Sequence, residues 1–117
     1  MKKIYHLATC STCQGILDDF GKRASSFEKQ DIKTQSITPL QLDEMKEMAG
    51  SYEELFSRRA LKYRELGLNE KTLSESDYRK FILEEYTFLR RPVVINGDKI
   101  FIGNAPKTVA QAKASMQ

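Results

Sequence analysis

Apolar residues along this 117-residue chain change period twice, and each change marks a block of structure. Residues 2–8, KKIYHLA, form a short apolar run suited to a first strand. In the following STCQGILDDFGKR, Ile16, Leu17 and Phe20 fall at helical spacing. Ser11 or Thr12 is placed to cap that helix and Gly21 to end it. SSFEKQDI alternates weakly and predicts a second strand. Strand, helix and strand in this order predict a βαβ unit, with parallel strands and a right-handed crossover.

The middle, residues 38–88, reads as helical. TPLQLDEMKEMA starts with Thr38 as cap and Pro39 at the first helical position, carries Leu40, Met45 and Met48, and breaks at Gly50 and Ser51. SYEELFSRRALKYRELGL predicts a second helix ending near Gly67. SESDYRKFILEEY predicts a third, capped by Ser74 or Ser76, with Tyr78, Phe81, Ile82 and Tyr86 on one side.

The end of the chain returns to β. PVVINGDKIFIG is two apolar runs around Asn96-Gly97, a strong hairpin signal. NAPKTVAQAKASM predicts a closing helix, with Asn104 or Ala105 near its cap and Pro106 early. No repeat, low-complexity tract or linker divides the chain, so one domain over 1–117 is expected. The order β-α-β, helical insert, β-β-α predicts an α/β fold: a mixed sheet of about four strands flanked by helices, as in the thioredoxin-like layout.

Composition narrows the setting. The formal charge of +3 is small and dispersed, so no direct nucleic-acid binding is expected. No apolar run approaches the ~20 residues that span a bilayer. The start, MKKIYHLATC, lacks the apolar stretch of ~7–15 residues found in signal peptides. The expectation is a cytoplasmic protein with no membrane partner. Thiols are kept reduced there, so a close cysteine pair points to catalysis, sensing or metal binding rather than a structural disulfide.

The chemistry concentrates in HLATCSTC. Both cysteines, Cys10 and Cys13, lie there with the one histidine, His6. A C-x-x-C between a strand and a helix places Cys10 at a helix start. Free backbone N–H groups and the positive dipole end favour a thiolate there. Cys13, one turn on, can attack a mixed disulfide formed on Cys10. His6 either tunes Cys10 or is a half-buried strand residue. A structural zinc wants four ligands and this stretch offers three at most, so no metal is expected. Two arginine doublets, Arg58-Arg59 and Arg90-Arg91, offer rigid forks for an oxyanion or a thiolate. Arg58 and Arg90 read as surface residues, whereas Arg91, before Pro92 at a strand start, reads as functional.

Three stretches together carry a family resemblance. YHLATCSTC resembles the YHNPxCS start of the arsenate reductase ArsC / Spx family, matching Tyr5, His6 and Cys10. RALKYRELGL resembles its R-x-x-x-Y-x-E-L-G-L segment, matching Arg59, Tyr63, Leu66 and Gly67. LRRPVVINGDKIFIG resembles its R-R-P-[IV]-V strand, matching Arg91 and Pro92. The resemblance implies a thioredoxin-like fold with a helical insertion, Cys10 as nucleophile, and Arg91 before a cis Pro92, facing the thiolate and an oxyanion. Arg59, Arg91 and Pro92 would form the substrate site. There are departures: Leu7 and Ala8 stand where the reductases have Asn and Pro, and Ser57 and Gly103 fall where they have arginines.

The implied function is a thiol-dependent oxidoreductase acting on arsenate or a related oxidised substrate, with Cys13 resolving. It would need no bound cofactor, only an external donor such as glutathione with glutaredoxin, or thioredoxin. The alternative implied by the Spx branch is a redox-sensing transcriptional regulator that binds RNA polymerase.

Overall fold

The computed structural model describes residues 1–116. The elements in order are β1 (Lys2–His6), α1 (Ser11–Phe20), β2 (Glu28–Asp31), α2 (Pro39–Ala49), α3 (Leu61–Glu65), α4 (Glu75–Glu84), β3 (Val93–Asn96), β4 (Lys99–Ile102) and α5 (Pro106–Ser115), with four short 3₁₀ turns among the described residues. They form two compact units. One joins Met1–Ser36 to the chain from Arg91 onward; the other is Ile37–Arg90, which contains the expected insertion.

The first unit is built on a four-stranded mixed sheet in the order β2-β1-β3-β4. β1 runs parallel to β2, in the register Lys3↔Glu28 to His6↔Asp31, as the βαβ reading requires. β1 and β3 are antiparallel, with Tyr5 opposite Val93, and β3 and β4 form the hairpin. Alternation sends Ile4 and Val94 to one face. There they pack with Phe20, Ala24, Phe27, Ala112 and Met116, so α1 and α5 cover that face. The other face carries Tyr5, Gln30, Val93 and Ile95, all buried. Lys3 is also buried on it. Its Nζ lies 3.2 Å from Glu28 Oε1 and 5.3 Å from the centre of the Tyr5 ring, so the charge is paired.

The hairpin differs by one residue from the sequence reading. Asn96 still pairs, opposite Lys99, so the two loop residues are Gly97 and Asp98 rather than Asn96 and Gly97. Gly97 has φ 64°, and no non-glycine residue described has positive φ. Glycine at the first loop position followed by a negative φ is the type II′ pattern. Asn96 is left free to donate from Nδ2 to the Ser115 carbonyl at 3.0 Å, which ties β3 to the end of α5.

In the second unit, α2 begins as expected. Thr38 Oγ1 accepts the Gln41 N–H while Gln41 Oε1 accepts the Thr38 N–H, a closed capping box, and Pro39 opens the helix. Its buried side chains are Leu42 and Met45, whereas Leu40 is exposed. α4 is capped the same way by Ser74 and Asp77, which decides between Ser74 and Ser76. It ends at Glu84, so Tyr86 lies in a 3₁₀ turn beyond it rather than on the helix.

The predicted continuous helix over SYEELFSRRALKYRELGL does not form. The stretch is a 3₁₀ turn at Glu53–Leu55, an extended Phe56, the five-residue α3, and a second 3₁₀ turn after Gly67. The reason is tertiary. Phe56 bridges Leu89, flanked by Ser57 N–H donating to the Phe88 carbonyl and Arg90 N–H to the Leu55 carbonyl. This buries Leu55 and Phe56 inside an aromatic cluster, and that burial outweighs helix propensity.

Candidate functional site

Leu7, Ala8, Thr9 and Cys10 make a tight turn at the end of β1, closed by the Cys10 N–H donating to the Leu7 carbonyl at 3.0 Å. The Cys10 carbonyl then accepts the Gln14 N–H at 3.1 Å, the first hydrogen bond of α1. Cys10 has extended backbone angles and is itself the cap of α1. This corrects the expectation of Ser11 or Thr12. A thiol has no oxygen to offer, and Cys10 makes no conventional side-chain capping bond. The Thr12 and Cys13 amides at the second and third helical positions nonetheless act on its sulfur. They sit where a cap side chain is normally held.

Those amides set the chemistry. Partial burial raises the Cys10 pKa, but the Cys13 amide, the Cys13 thiol, the Arg91 charge and the Thr12 amide together outweigh it and lower the value below that of an ordinary thiol. Cys13 behaves oppositely. It is fully buried, and burial pushes its pKa up to about 11. A hydrogen bond from the Leu7 backbone opposes the rise, and the neighbouring Cys10 adds to it. The pair is therefore one thiolate-forming sulfur at the helix mouth and one protonated sulfur beneath it. Both cysteines are free thiols here.

This split predicts a measurable asymmetry. Alkylation of Cys10 in a Cys13→Ser variant should have a pH midpoint below that of a free thiol in the same buffer, because serine keeps a hydroxyl donor at position 13. Cys13 in a Cys10→Ser variant should react more slowly and only at higher pH. A Cys10 midpoint at or above that of Cys13 would refute this assignment.

The structure brings Arg91 and Pro92 to the same site. The Arg91 charge acts on both sulfurs. The Arg91–Pro92 peptide bond is cis, and buried Pro92 accepts the Gly103 N–H on its carbonyl at 3.0 Å. Gly103 has φ 91°, a conformation that side-chain-bearing residues rarely adopt. Its backbone serves the Pro92 loop at the place where the reductase motif has an arginine.

His6 ends β1 opposite Asp31. Burial lowers its pKa, with Asp31 opposing that shift and Lys29 adding to it. Its electrostatic neighbours are thus on β2. Its Nδ1 is buried without a hydrogen-bond partner among the described residues.

Arg59 is exposed and belongs to the second unit. Its neighbour Arg58 donates to Glu53 at 2.8 Å and to the Tyr78 hydroxyl at 2.9 Å, and Arg90 donates to the Glu54 carbonyl at 3.0 Å. Arg58 is exposed and Arg90 partly buried, and these bonds lie at the surface of the second unit. Among the described residues no three His, Cys, Asp or Glu side chains gather as a metal site would need, and no helix is long and apolar enough to cross a membrane. One residue of the site was not singled out from sequence: Asp31, whose Oδ1 accepts the Ala8 N–H at 3.3 Å. Its position at the end of the second strand offered only a weak signal, a lone acidic residue there.

Known proteins resemble this chain in sequence and in fold. The chain is 31% identical to the arsenate reductase of Haemophilus influenzae, covering 92% of this chain and 95% of that one. It is 26% identical to the global transcriptional regulator Spx 2 of Bacillus anthracis, over 88% of this chain and 79% of that one. Among solved structures, the arsenate reductase from Vibrio cholerae superposes with a TM-score of 0.79 at 19% identity, covering 95% and 96% of the two chains, a likeness of fold. The profile of the ArsC family matches residues 5–112, spanning the Cys10–Cys13 segment, the Ile37–Arg90 unit and the Arg91–Pro92 peptide, and the chain belongs to that family.

Proposed function

We propose that this protein is a thiol-dependent reductase of a small oxidised substrate, arsenate being the first candidate, with Cys10 as nucleophile and Cys13 as resolving thiol. The observation that carries the reading is the convergence of the Thr12 and Cys13 amides and the Arg91 charge on the Cys10 sulfur, with a protonated Cys13 buried one turn away. The Haemophilus influenzae relative, an arsenate reductase by name, supports the choice of substrate.

The Cys10 thiolate attacks arsenic(V). An S–As bond forms, and one oxygen leaves as water after protonation. Arg91 offsets the negative charge on the arsenic oxygens. Once Cys10 is bonded, its charge no longer adds to the effect of burial on Cys13, which makes the Cys13 proton easier to lose. Cys13 loses its proton and attacks the Cys10 sulfur. The S–S bond forms, the S–As bond breaks, and its electron pair stays on arsenic, which departs as arsenic(III). Two thiols have become a disulfide, and two electrons have reduced the substrate. An external dithiol, or glutathione with glutaredoxin, restores Cys10 and Cys13.

The likeness to Spx 2 favours a second reading, in which the same disulfide switches a regulator that binds RNA polymerase. One experiment separates the two. Arsenate-dependent NADPH consumption is followed with glutathione, glutaredoxin and glutathione reductase, and separately with thioredoxin and thioredoxin reductase, beside a pull-down of RNA polymerase. Turnover with either donor, lost in Cys10→Ser, is expected. No turnover with either donor refutes the reductase reading, and redox-dependent capture of polymerase would then establish the switch.

A further inference from the structure

We infer that Asp31 is a positioning residue for the Cys10–Cys13 pair, acting by pinning the Leu7–Cys10 turn through the Ala8 N–H. The inference rests on the reading of Cys10 and Cys13 given above. Its basis is one rigid peptide unit. The Leu7 carbonyl and the Ala8 N–H belong to the same planar group, so fixing one end fixes the other. The N–H end donates to Asp31 Oδ1 at 3.3 Å. The carbonyl end accepts the Cys10 N–H at 3.0 Å and, more weakly, Gln14 Nε2 at 3.5 Å. The Leu7 N–H, on the preceding peptide, acts on the Cys13 sulfur. The Cys10 backbone is therefore tied directly to the peptide whose orientation Asp31 holds, and the neighbouring peptide faces Cys13.

Asp31 is well placed to do this. The same Oδ1 accepts the Lys33 N–H at 3.2 Å, and its own carbonyl accepts the Gln35 N–H at 2.8 Å. Its backbone is thus anchored in the sheet and in the turn that follows it. Ala8 and Thr9 are exposed, so packing holds the turn only through the buried Leu7 at its start. A proline in place of Ala8 would hold the turn without Asp31. A proline has no N–H to give Asp31, and its ring sets the backbone angle of the turn by itself. Asp31 supplies by hydrogen bonding what that ring supplies covalently.

The test measures the rate and pH midpoint of Cys10 alkylation, together with closure of the Cys10–Cys13 disulfide after a thiol adduct is placed on Cys10. Asp31→Ala should slow both about threefold to tenfold at neutral pH and raise the Cys10 midpoint, the range expected for losing one hydrogen bond. Asp31→Asn keeps an acceptor oxygen and should stay within about twofold of wild type. Ala8→Pro removes the N–H and stiffens the turn, so adding Asp31→Ala to it should change neither readout further. That double variant also remains informative if Asp31→Ala alone folds poorly.

Wild-type readouts in Asp31→Ala would overturn the inference, as would an undiminished Asp31→Ala effect in the Ala8→Pro background. An Asp31→Asn variant as slow as Asp31→Ala would overturn it too, by assigning the effect to charge. A wild-type Cys10 that titrates like a free thiol would instead refute the reading of Cys10 on which the inference rests.

Discussion

Arg91→Lys is expected to lower the rate of arsenate reduction about 10²–10³-fold, the usual cost of losing one well-placed donor to a developing oxyanion. Lysine keeps the positive charge but not the rigid two-pronged guanidinium. The two roles proposed for Arg91 can therefore be separated. Its charge acts on both Cys10 and Cys13. That action survives in the lysine variant, so the pH midpoint of Cys10 alkylation should stay near wild type while turnover falls. Arg91→Met should move both, raising the Cys10 midpoint because the charge is gone. Arg91 is only partly buried, so the melting temperature of the lysine variant should change little. Turnover retained in Arg91→Lys, measured as kcat/KM for arsenate with either thiol donor, would show that Arg91 serves the thiolate and not a substrate oxyanion.

What the sequence disclosed, and what it hid, follows from the range of the interactions involved. The βαβ start, the Thr38 cap with Pro39 behind it and the closing helix depend on neighbours within a few positions, and all were readable from local pattern. Placing Cys10 near the start of α1 was readable too. Making Cys10 itself the cap was not, because Ser11 and Thr12 have the higher capping preference and the deciding turn is set by the Leu7 carbonyl. The hairpin was found but displaced by one residue, since Asn-Gly and Gly-Asp are both acceptable loop pairs and the choice is made by the β3–β4 register. Asp31 was missed because its partner, Ala8, lies 23 residues away. The helix predicted through residues 51–68 failed for the same reason. Its apolar spacing was adequate, but Phe56 pairs with Leu89, 33 positions on by numbering.

That pairing leads to the largest stability effect expected in this chain. Phe56→Ala should destabilise the protein by about 3–5 kcal/mol, the range for truncating a buried phenylalanine. The Phe56 ring stacks on Phe88 at 5.0 Å with 19° between planes, tilts against Tyr78 at 4.9 Å, and meets Tyr63 edge-on at 5.9 Å. Each aromatic pair adds about 0.5–1.5 kcal/mol beyond burial alone, which favours the upper end of the range. The cavity would be slow to collapse, because Leu55 and Leu89 on either side are fixed by the Ser57–Phe88 and Arg90–Leu55 hydrogen bonds. Domains of this size have a total stability of about 5–15 kcal/mol, so the variant could lose half of it or more. Phe56→Leu keeps most of the volume and should cost about 1–2 kcal/mol, chiefly the aromatic contacts. Urea unfolding at fixed pH gives both values. The backbone amides of Ser57 and Arg90 should exchange with solvent faster in Phe56→Ala than in wild type, since their acceptors, the Phe88 and Leu55 carbonyls, flank the Phe56–Leu89 bridge. A loss below about 1 kcal/mol in Phe56→Ala would mean that the aromatic cluster does not hold the Ile37–Arg90 unit together, and that surface capping and ion pairs such as Arg79–Asp43 carry it instead.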